Sequence, residues 1–194
     1  ASFPYRDQGL SAVSLESLFK RFPDAHYVIE LKPEENDGVG SFIQEDLNTG
    51  VEVARLINEY RMKHRVTVAS FTDEIIKDFR LQDDDILTAF SEAEALPLML
   101  AVFGGDDSYE IPAPAGEFLQ IPENYSLNGL DLNLVNDSNV DFLLSAFDLR
   151  VHVWTVNDSE AMDRMLNVEN LAGIMTDFPQ RLMQKIDAKA SSAE

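Results

Sequence analysis

The alternation of two residue patterns is the feature that most constrains how this chain can fold. Short segments rich in β-branched or apolar residues are separated by stretches with helical periodicity. The predicted strands are HYVIELK at 26–32, RVTVASF at 65–71, LPLMLAVF at 96–103, RVHVWTVN at 150–157 and LAGIMTD at 171–177. Strands that alternate with helices form parallel sheets, so the pattern predicts an α/β fold and leaves an open doubly wound sheet and a (β/α) barrel as alternatives.

The stretches between these segments are predicted to be helices. From 48 to 64, apolar residues recur at helical spacing opposite a charged face, and a shorter helix is predicted after Thr72, whose hydroxyl can cap it. Further helices are predicted around 15–22, 141–148 and 159–166. The long connection from 104 to 140 is expected to carry function or a small insertion, and residues 185–194 are predicted to form a flexible polar tail.

Charge limits the classes of partner. The chain has 15 basic and 35 acidic side chains and a formal net charge of -20, which repels nucleic acid and anionic membrane surfaces. A phosphate ligand would need a metal ion or a local basic group to reverse that field. The longest apolar runs are about eight residues, whereas a membrane span needs about 20. The chain has no cysteine, which excludes thiolate metal sites and disulfides.

Two ionisable residues stand at the end of the first predicted strand. Strand alternation places Glu30 and Lys32 on one face, about 7 Å apart. Buried parallel strands are normally apolar on both faces, and active sites of (β/α) barrels lie at the carboxyl ends of their strands. Spacing alone leaves two interpretations open, namely an exposed ion pair on a solvated strand and an active-site pair.

Longer motifs resemble a known family. The run VSLESLFKRFPDAHYVIELK at 13–32 is similar to a segment of the glycerophosphodiester phosphodiesterases, and VASF at 68–71, LQIP at 119–122, VHVWTVN at 151–157 and GIMTDFP at 173–179 match later elements in register. The resemblance implies a partial TIM-type (β/α) barrel. Residues 1–184 would be its C-terminal part, with about five parallel strands corresponding to the family's fourth to eighth.

The same resemblance implies a hydrolase that converts a glycerophosphodiester and water to an alcohol and glycerol 3-phosphate, with Mg²⁺ or Ca²⁺ as cofactor. Glu30 matches a carboxylate metal ligand, Lys32 a cation near the phosphate, and Trp154 an aromatic wall of the substrate pocket. Gln120 and Thr155 match motif positions to which no role is assigned, and for them, as for Ser70, ordinary packing or strand-end hydrogen bonding is expected.

The family's two catalytic histidines have no counterpart, because the elements that carry them precede the position matched by Ala1. We therefore predict no catalytic residue on this chain and no activity from it alone, and we expect the missing barrel half or a swapped second copy as its partner. Two alternatives stay open. One is a non-catalytic binding or structural module on the same scaffold, and the other is a phosphodiesterase that acts on lysophospholipid headgroups.

Overall fold

A computed structural model of the protein describes residues 9, 11–33, 44–113, 115–127 and 129–192. The helices are α1 (Leu15–Arg21), α2 (Gln44–Glu59), α3 (Asp73–Gln82), α4 (Glu92–Gly104), α5 (Asp137–Phe147), α6 (Ser159–Leu166) and α7 (Pro179–Ser192). The strands are β1 (Tyr27–Glu30), β2 (Val66–Ala69), β3 (Phe118–Pro122), β4 (Asn124–Leu127), β5 (Leu130–Asn133), β6 (Arg150–Trp154) and β7 (Gly173–Ile174). The predicted α/β class is confirmed.

In the described part of the chain, six segments lie side by side in parallel. β1 pairs with β2, and β3 pairs with β6, which pairs with β7. Between the two sets lies the bridge segment Thr88–Ala89, because Thr88 pairs with Val68 and Ala89 pairs with Phe118. The spatial order follows the chain order without reversal, as in a barrel, whereas a doubly wound sheet reverses direction at a switch point. Within the described residues, no ladder joins β7 back to β1.

The outward faces of these segments pack against helices in two separate cores. The amino-terminal core joins α1, α2 and α3 to β1 and β2, with Phe19, Ile57 and Phe79 at its centre. The carboxyl-terminal core joins α4, α5 and α6 to β3 and β6 and includes Leu119 and Val153. Burying these apolar faces stabilises the fold by about 25 cal/mol per Å² removed from water.

The inward faces carry the residues of opposite parity. On β1, Tyr27 and Ile29 pack into the amino-terminal core, while Val28 and Glu30 face a cavity. The parity predicted for this strand is therefore confirmed. A small third cluster, Ala69, Ala89 and Phe118, lines the interior where the two cores meet.

The strand predicted at 96–103 is wrong, because those residues belong to helix α4. A short apolar run has no periodicity that separates a strand from a buried helix. The local signals for a helix lie upstream, where the Ser91 hydroxyl accepts from the Glu94 backbone N–H and the Glu94 carboxylate accepts from the Ser91 backbone N–H. This capping box begins the helix, and Gly105 ends it with φ +64°.

The bridge segment Thr88–Ala89 takes the place in the ladder that was expected for a strand at 96–103, and it was not predicted. Thr88 and Ala89 form only single bridges, and a segment this short leaves no alternation to detect.

The long connection from 104 to 140 contains strand β3 and the antiparallel hairpin β4–β5, so the expected small insertion is present. Thr72 occupies the N-cap of α3, but its side chain makes no capping hydrogen bond, contrary to the prediction.

Helix α7 continues to Ser192, so most of residues 185–194 are helical in this structure. The Lys185 ammonium contacts the Asp163 carboxylate of α6 at 2.7 Å, and the Lys189 ammonium donates to the Leu166 carbonyl. The flexibility predicted for residues 185–194 stays a prediction, since terminal helices fray. In the described part of the chain, no helix has both the length and the apolar character needed to span a bilayer.

Candidate active site at the carboxyl ends of the strands

A cavity of about 630 Å³ opens where the parallel segments end. Its size falls within the range of small-molecule sites. The residues that follow β2, β6 and β7 contribute Ser70, Thr155 and Thr176, and helix α4 and the β4–β5 hairpin form the opposite wall. This is the edge at which barrel enzymes place their catalytic groups.

Glu30 lines this cavity, and Lys32 lies beside it. The Lys32 ammonium donates to the Glu30 Oε1 over 2.8 Å, with the lysine side chain 72 % exposed and the glutamate side chain 34 % exposed. The two predicted site residues are thus in contact, but only Glu30 is among the residues that line the cavity. An ion pair this exposed contributes little to the free energy of folding, so the fold does not depend on the contact between Glu30 and Lys32.

Trp154 lines the same cavity from the last position of β6. Its indole meets the Phe71 ring edge to face, with ring centroids 5.5 Å apart and an interplanar angle of 85°. Phe71 follows β2, and β2 is separated from β6 by the bridge segment and β3. The aromatic pair therefore reaches across the mouth of the cavity. Phe71 is the last residue of the VASF match, but that match assigned it no role, so it was absent from the predicted site.

Asp177 is a second cavity residue that sequence reasoning did not single out. Its carboxylate accepts from Asn157 Nδ2 at 2.7 Å, and its backbone N–H donates to Asn157 Oδ1 at 2.9 Å. The Thr176 hydroxyl donates to the same Asn157 oxygen at 3.1 Å. These bonds join the exits of β6 and β7 and hold the carboxylate at the cavity. The TDFP motif that contains Asp177 supplied the resemblance but no assigned role.

Two polar cavity residues have structural partners. The buried Ser70 hydroxyl donates to the Leu31 carbonyl at 2.8 Å and accepts from the Thr72 backbone N–H at 3.2 Å, which ties the ends of β1 and β2 together. Gln120 Nε2 lies 3.4 Å from His152 Nδ1. The strand-end hydrogen bonding expected for Ser70 is what the structure contains.

His152 lies one step deeper than Trp154 on the inward face of β6. Its ring packs on Phe118 with centroids 4.8 Å apart and closes on Gly173, where an added Cβ would stand 2.8 Å from His152 Cδ2. Burial, and then the positive charge of Arg150, lowers the pKa of His152 below its ordinary value. His152 is not among the residues that line the cavity.

The opposite wall of the cavity is apolar. Leu96, Leu100 and Phe103 are spaced along one face of α4, line the cavity and are each at least 40 % exposed. Tyr125 and Leu132 of the hairpin continue this wall. We call these five residues the apolar wall. Clusters of exposed apolar residues on this scale commonly mark binding surfaces.

The donor set for a divalent cation is partial. Hard cations take several oxygen ligands, and the cavity offers the carboxylates of Glu30, Glu92 and Asp177. Among the described residues, the group of three carboxylates close enough to share one ion is Asp83, Asp84 and Asp85, which follows α3. This group precedes the bridge segment and so lies at the amino ends of the strands, and Asp83 already pairs with Lys63 at 2.7 Å. The cavity carboxylates are not part of that group.

Comparisons with known proteins agree with this architecture. The family model for the glycerophosphoryl diester phosphodiesterase family matches residues 2–181. The glycerophosphoryl diester phosphodiesterase domain of an uncharacterized Mycobacterium tuberculosis protein superposes with a TM-score of 0.70 at 14 % identity, over 95 % of this chain and 68 % of that one. No curated protein sequence matches the chain.

Two further solved structures share the fold. A glycerophosphodiester phosphodiesterase from Parabacteroides distasonis has a TM-score of 0.57 at 18 % identity, over 91 % of this chain and 64 % of its own. The enzyme from Agrobacterium tumefaciens has a TM-score of 0.54 at 12 % identity, over 87 % and 59 %. The chain thus spans between about half and about two thirds of the solved structures that it resembles.

Proposed function

This chain belongs to the glycerophosphoryl diester phosphodiesterase family, and from that premise we propose that it forms part of an enzyme that hydrolyses a glycerophosphodiester to an alcohol and glycerol 3-phosphate. One structural observation links the proposed activity to the cavity. Glu30 and Trp154 come from the first strand and the next-to-last parallel strand of the described ladder, yet they line one cavity at its carboxyl edge. Those are the two residues that match a metal ligand and a substrate wall in the family motifs.

Each group suits a phosphodiester for a chemical reason. The Lys32 ammonium is a compact cation two residues beyond the cavity carboxylate and can approach a phosphate oxygen once its pairing with Glu30 is exchanged. The indole of Trp154 offers an apolar face for the carbon skeleton next to the phosphate. Together they would orient the diester between the exits of β1 and β6.

We propose Glu30 as the residue of this chain that holds a divalent cation, either Mg²⁺ or Ca²⁺. Such a cation polarises the phosphoryl oxygens when it is bound. A single carboxylate is a weak site, so we expect a dissociation constant on the order of 10⁻³ M or weaker for the isolated chain. Terbium luminescence tests this directly, because the chain has one tryptophan, Trp154, which can sensitise a lanthanide in the same cavity. Glu30→Gln should remove the signal and Glu74→Gln, on the exposed face of α3, should not.

Turnover by this chain alone should be negligible. Loss of a general acid or base typically costs 10²- to 10⁴-fold, and the family's two histidines have no match here. His152 does not replace them, because its ring is packed between Phe118 and Gly173 and it is not among the residues that line the cavity. The remaining catalytic groups would come from a partner segment, as predicted from the motifs.

The test is release of glycerol 3-phosphate from glycerophosphocholine in the presence of Mg²⁺ or Ca²⁺. It compares the 194-residue chain, a longer protein that contains it, and the longer protein carrying Glu30→Ala or the control Glu74→Ala. We expect turnover by the longer protein and loss of turnover with Glu30→Ala only. Robust turnover by the 194-residue chain contradicts the predicted inactivity. A longer protein that binds metal but never turns over would favour the non-catalytic module.

The apolar wall favours a second candidate, cleavage of lysophospholipid headgroups. Glycerol and small alcohols do not need the side chains of Leu96, Leu100 and Phe103, whereas a single acyl chain would cover them. Each buried methylene contributes about 0.8 kcal/mol, so affinity should rise about fourfold per methylene along a series of single-chain phosphocholines.

This candidate is tested by binding of that series to the wild-type chain and to two leucine variants. Leu100→Ser should flatten the dependence on chain length, while Leu81→Ser, at an exposed position of α3 away from the cavity, should leave it intact. An affinity that does not change with the length of the ligand's hydrocarbon chain contradicts the lysophospholipid hypothesis and leaves the glycerophosphodiester hypothesis in place.

A further inference from the structure

The mouth of the cavity combines two aromatic rings with negative charge. Phe71 and Trp154 meet at 85°, and Phe71 remains 54 % exposed, so parts of both rings are open to a ligand. Among the described residues that line the cavity, three are carboxylates, Glu30, Glu92 and Asp177, and none is lysine, arginine or histidine. The nearby Lys32 is paired with Glu30. The local field therefore attracts cations.

Aromatic faces and carboxylates together select a particular kind of cation. A quaternary ammonium has no N–H to donate, carries its charge on methyl groups and loses little hydration on entering an aromatic corner, where the ring quadrupoles attract it. A primary ammonium would instead need several directed hydrogen bonds to replace its water. Two rings at a right angle expose two attractive surfaces to one rounded trimethylammonium group.

We infer that the Phe71–Trp154 corner binds a trimethylammonium group, so that the site takes choline-type headgroups. The inference rests on the proposed function and adds the headgroup that the motifs do not specify. The register supports the placement, because Glu30 pairs with Ala69 and Phe71 follows two residues later. The corner thus lies next to the exit of β1, where the phosphate is proposed to bind, and a choline ester has its cation two carbons from the phosphate oxygen.

The fluorescence of Trp154 reports this site directly, since the chain has no other tryptophan. Choline is titrated into the 194-residue chain at constant ionic strength, and 3,3-dimethylbutan-1-ol, its uncharged isostere, is titrated in parallel. Cation–π attraction to two rings predicts that choline binds about five- to thirtyfold more tightly than the isostere. Equal affinities, or no saturable change with choline, would overturn the inference and leave only an apolar pocket.

Two pairs of variants separate the parts of the site. Phe71→Leu keeps apolar volume and removes one ring, so choline affinity should fall about two- to fivefold while isostere affinity is unchanged. Phe22→Leu is the matched control, because Phe22 is 49 % exposed and is not among the cavity residues. Glu92→Gln should also weaken choline binding, whereas Glu74→Gln should not. If Phe71→Leu and Phe22→Leu give the same affinity, the aromatic corner is not the binding site.

The titration involves no hydrolysis, so its result is independent of the proposed reaction. Choline binding by a chain that never contributes to turnover supports the headgroup site and contradicts the proposed function. Turnover by the longer protein without choline binding contradicts the headgroup site alone. Among substrates, the longer protein should prefer glycerophosphocholine to glycerophosphoethanolamine, and Phe71→Leu should reduce that preference.

Discussion

Arg80 Nη1 lies 2.6 Å from Glu94 Oε1, in an ion pair that joins α3 to the first turn of α4. The same guanidinium donates to the Thr88 hydroxyl at 2.9 Å and to the Ala89 carbonyl at 3.1 Å. One buried side chain, 5 % exposed, therefore fixes both the bridge segment and the helix that supplies most of the apolar wall.

Arg80→Met should lower the free energy of unfolding by about 3–5 kcal/mol, because it leaves the Glu94 carboxylate without its charge partner in a buried setting. Urea denaturation measures the loss. The double variant Arg80→Met with Glu94→Gln should recover part of it, since the unpaired charge is gone. A loss below about 1 kcal/mol in the single variant, as exposed ion pairs give, would contradict the assigned role.

Gly116→Ala should destabilise the protein by about 1–3 kcal/mol. A Cβ at this position would stand 2.8 Å from the Ala89 carbonyl carbon and 2.8 Å from the Thr88 oxygen, so backbone must move. Gly104→Ala is the control, because nothing lies within 4 Å of its added Cβ and alanine is favoured in the last turn of α4. Thermal unfolding should show opposite shifts for the two variants.

Stability should fall as the pH drops through about 6.5, the pKa of an unperturbed histidine. Because burial and then Arg150 lower the pKa of His152 in the folded state, the unfolded chain binds a proton there that the folded chain does not. The free energy of unfolding, measured by urea between about pH 7.5 and about pH 5.5, should therefore decrease. In His152→Gln the decrease should be smaller. An unchanged pH dependence in that variant would show that other groups cause it.

Ending the chain after Gln184 should cost about 1 kcal/mol or less. The truncation removes the contact from Lys189 to the Leu166 carbonyl and the Lys185–Asp163 ion pair, whose carboxylate is exposed, and ion pairs open to solvent contribute little. Urea denaturation of the truncated chain tests the predicted tail. A loss of several kcal/mol would mean that the last turns of α7 belong to the fold.

The features that could be predicted from sequence are those that repeat or that have a fixed period. Helix α6 has the predicted bounds of 159–166, and the parity of β1 placed Glu30 on the cavity side, because a strand alternates strictly. The expectation that Glu30 and Trp154 belong to one site came from the resemblance to the family, because the motifs that contain them match the family's elements in register.

The features that failed depend on tertiary context. The apolar run at 96–103 is buried along one side and exposed along the other as a helix, and composition alone could not separate that from a strand. Thr88 and Ala89 enter the ladder because Val68 and Phe118 flank them, not because of their own propensity. The contact between Phe71 and Trp154 arises from the curvature of the whole ladder, which no local pattern encodes.

The separation of the two cores has a consequence for cooperativity. Glu30 and Phe71 belong to segments that pack on the amino-terminal core, while β6, which ends in Trp154, and α4 pack on the carboxyl-terminal one. A small cluster around Ala89 joins the two cores. Either half could open locally while the other persists, and the cavity would vanish in both cases. A ligand that contacts both halves stabilises them together, so amide hydrogen exchange should slow in both halves when the cavity is filled.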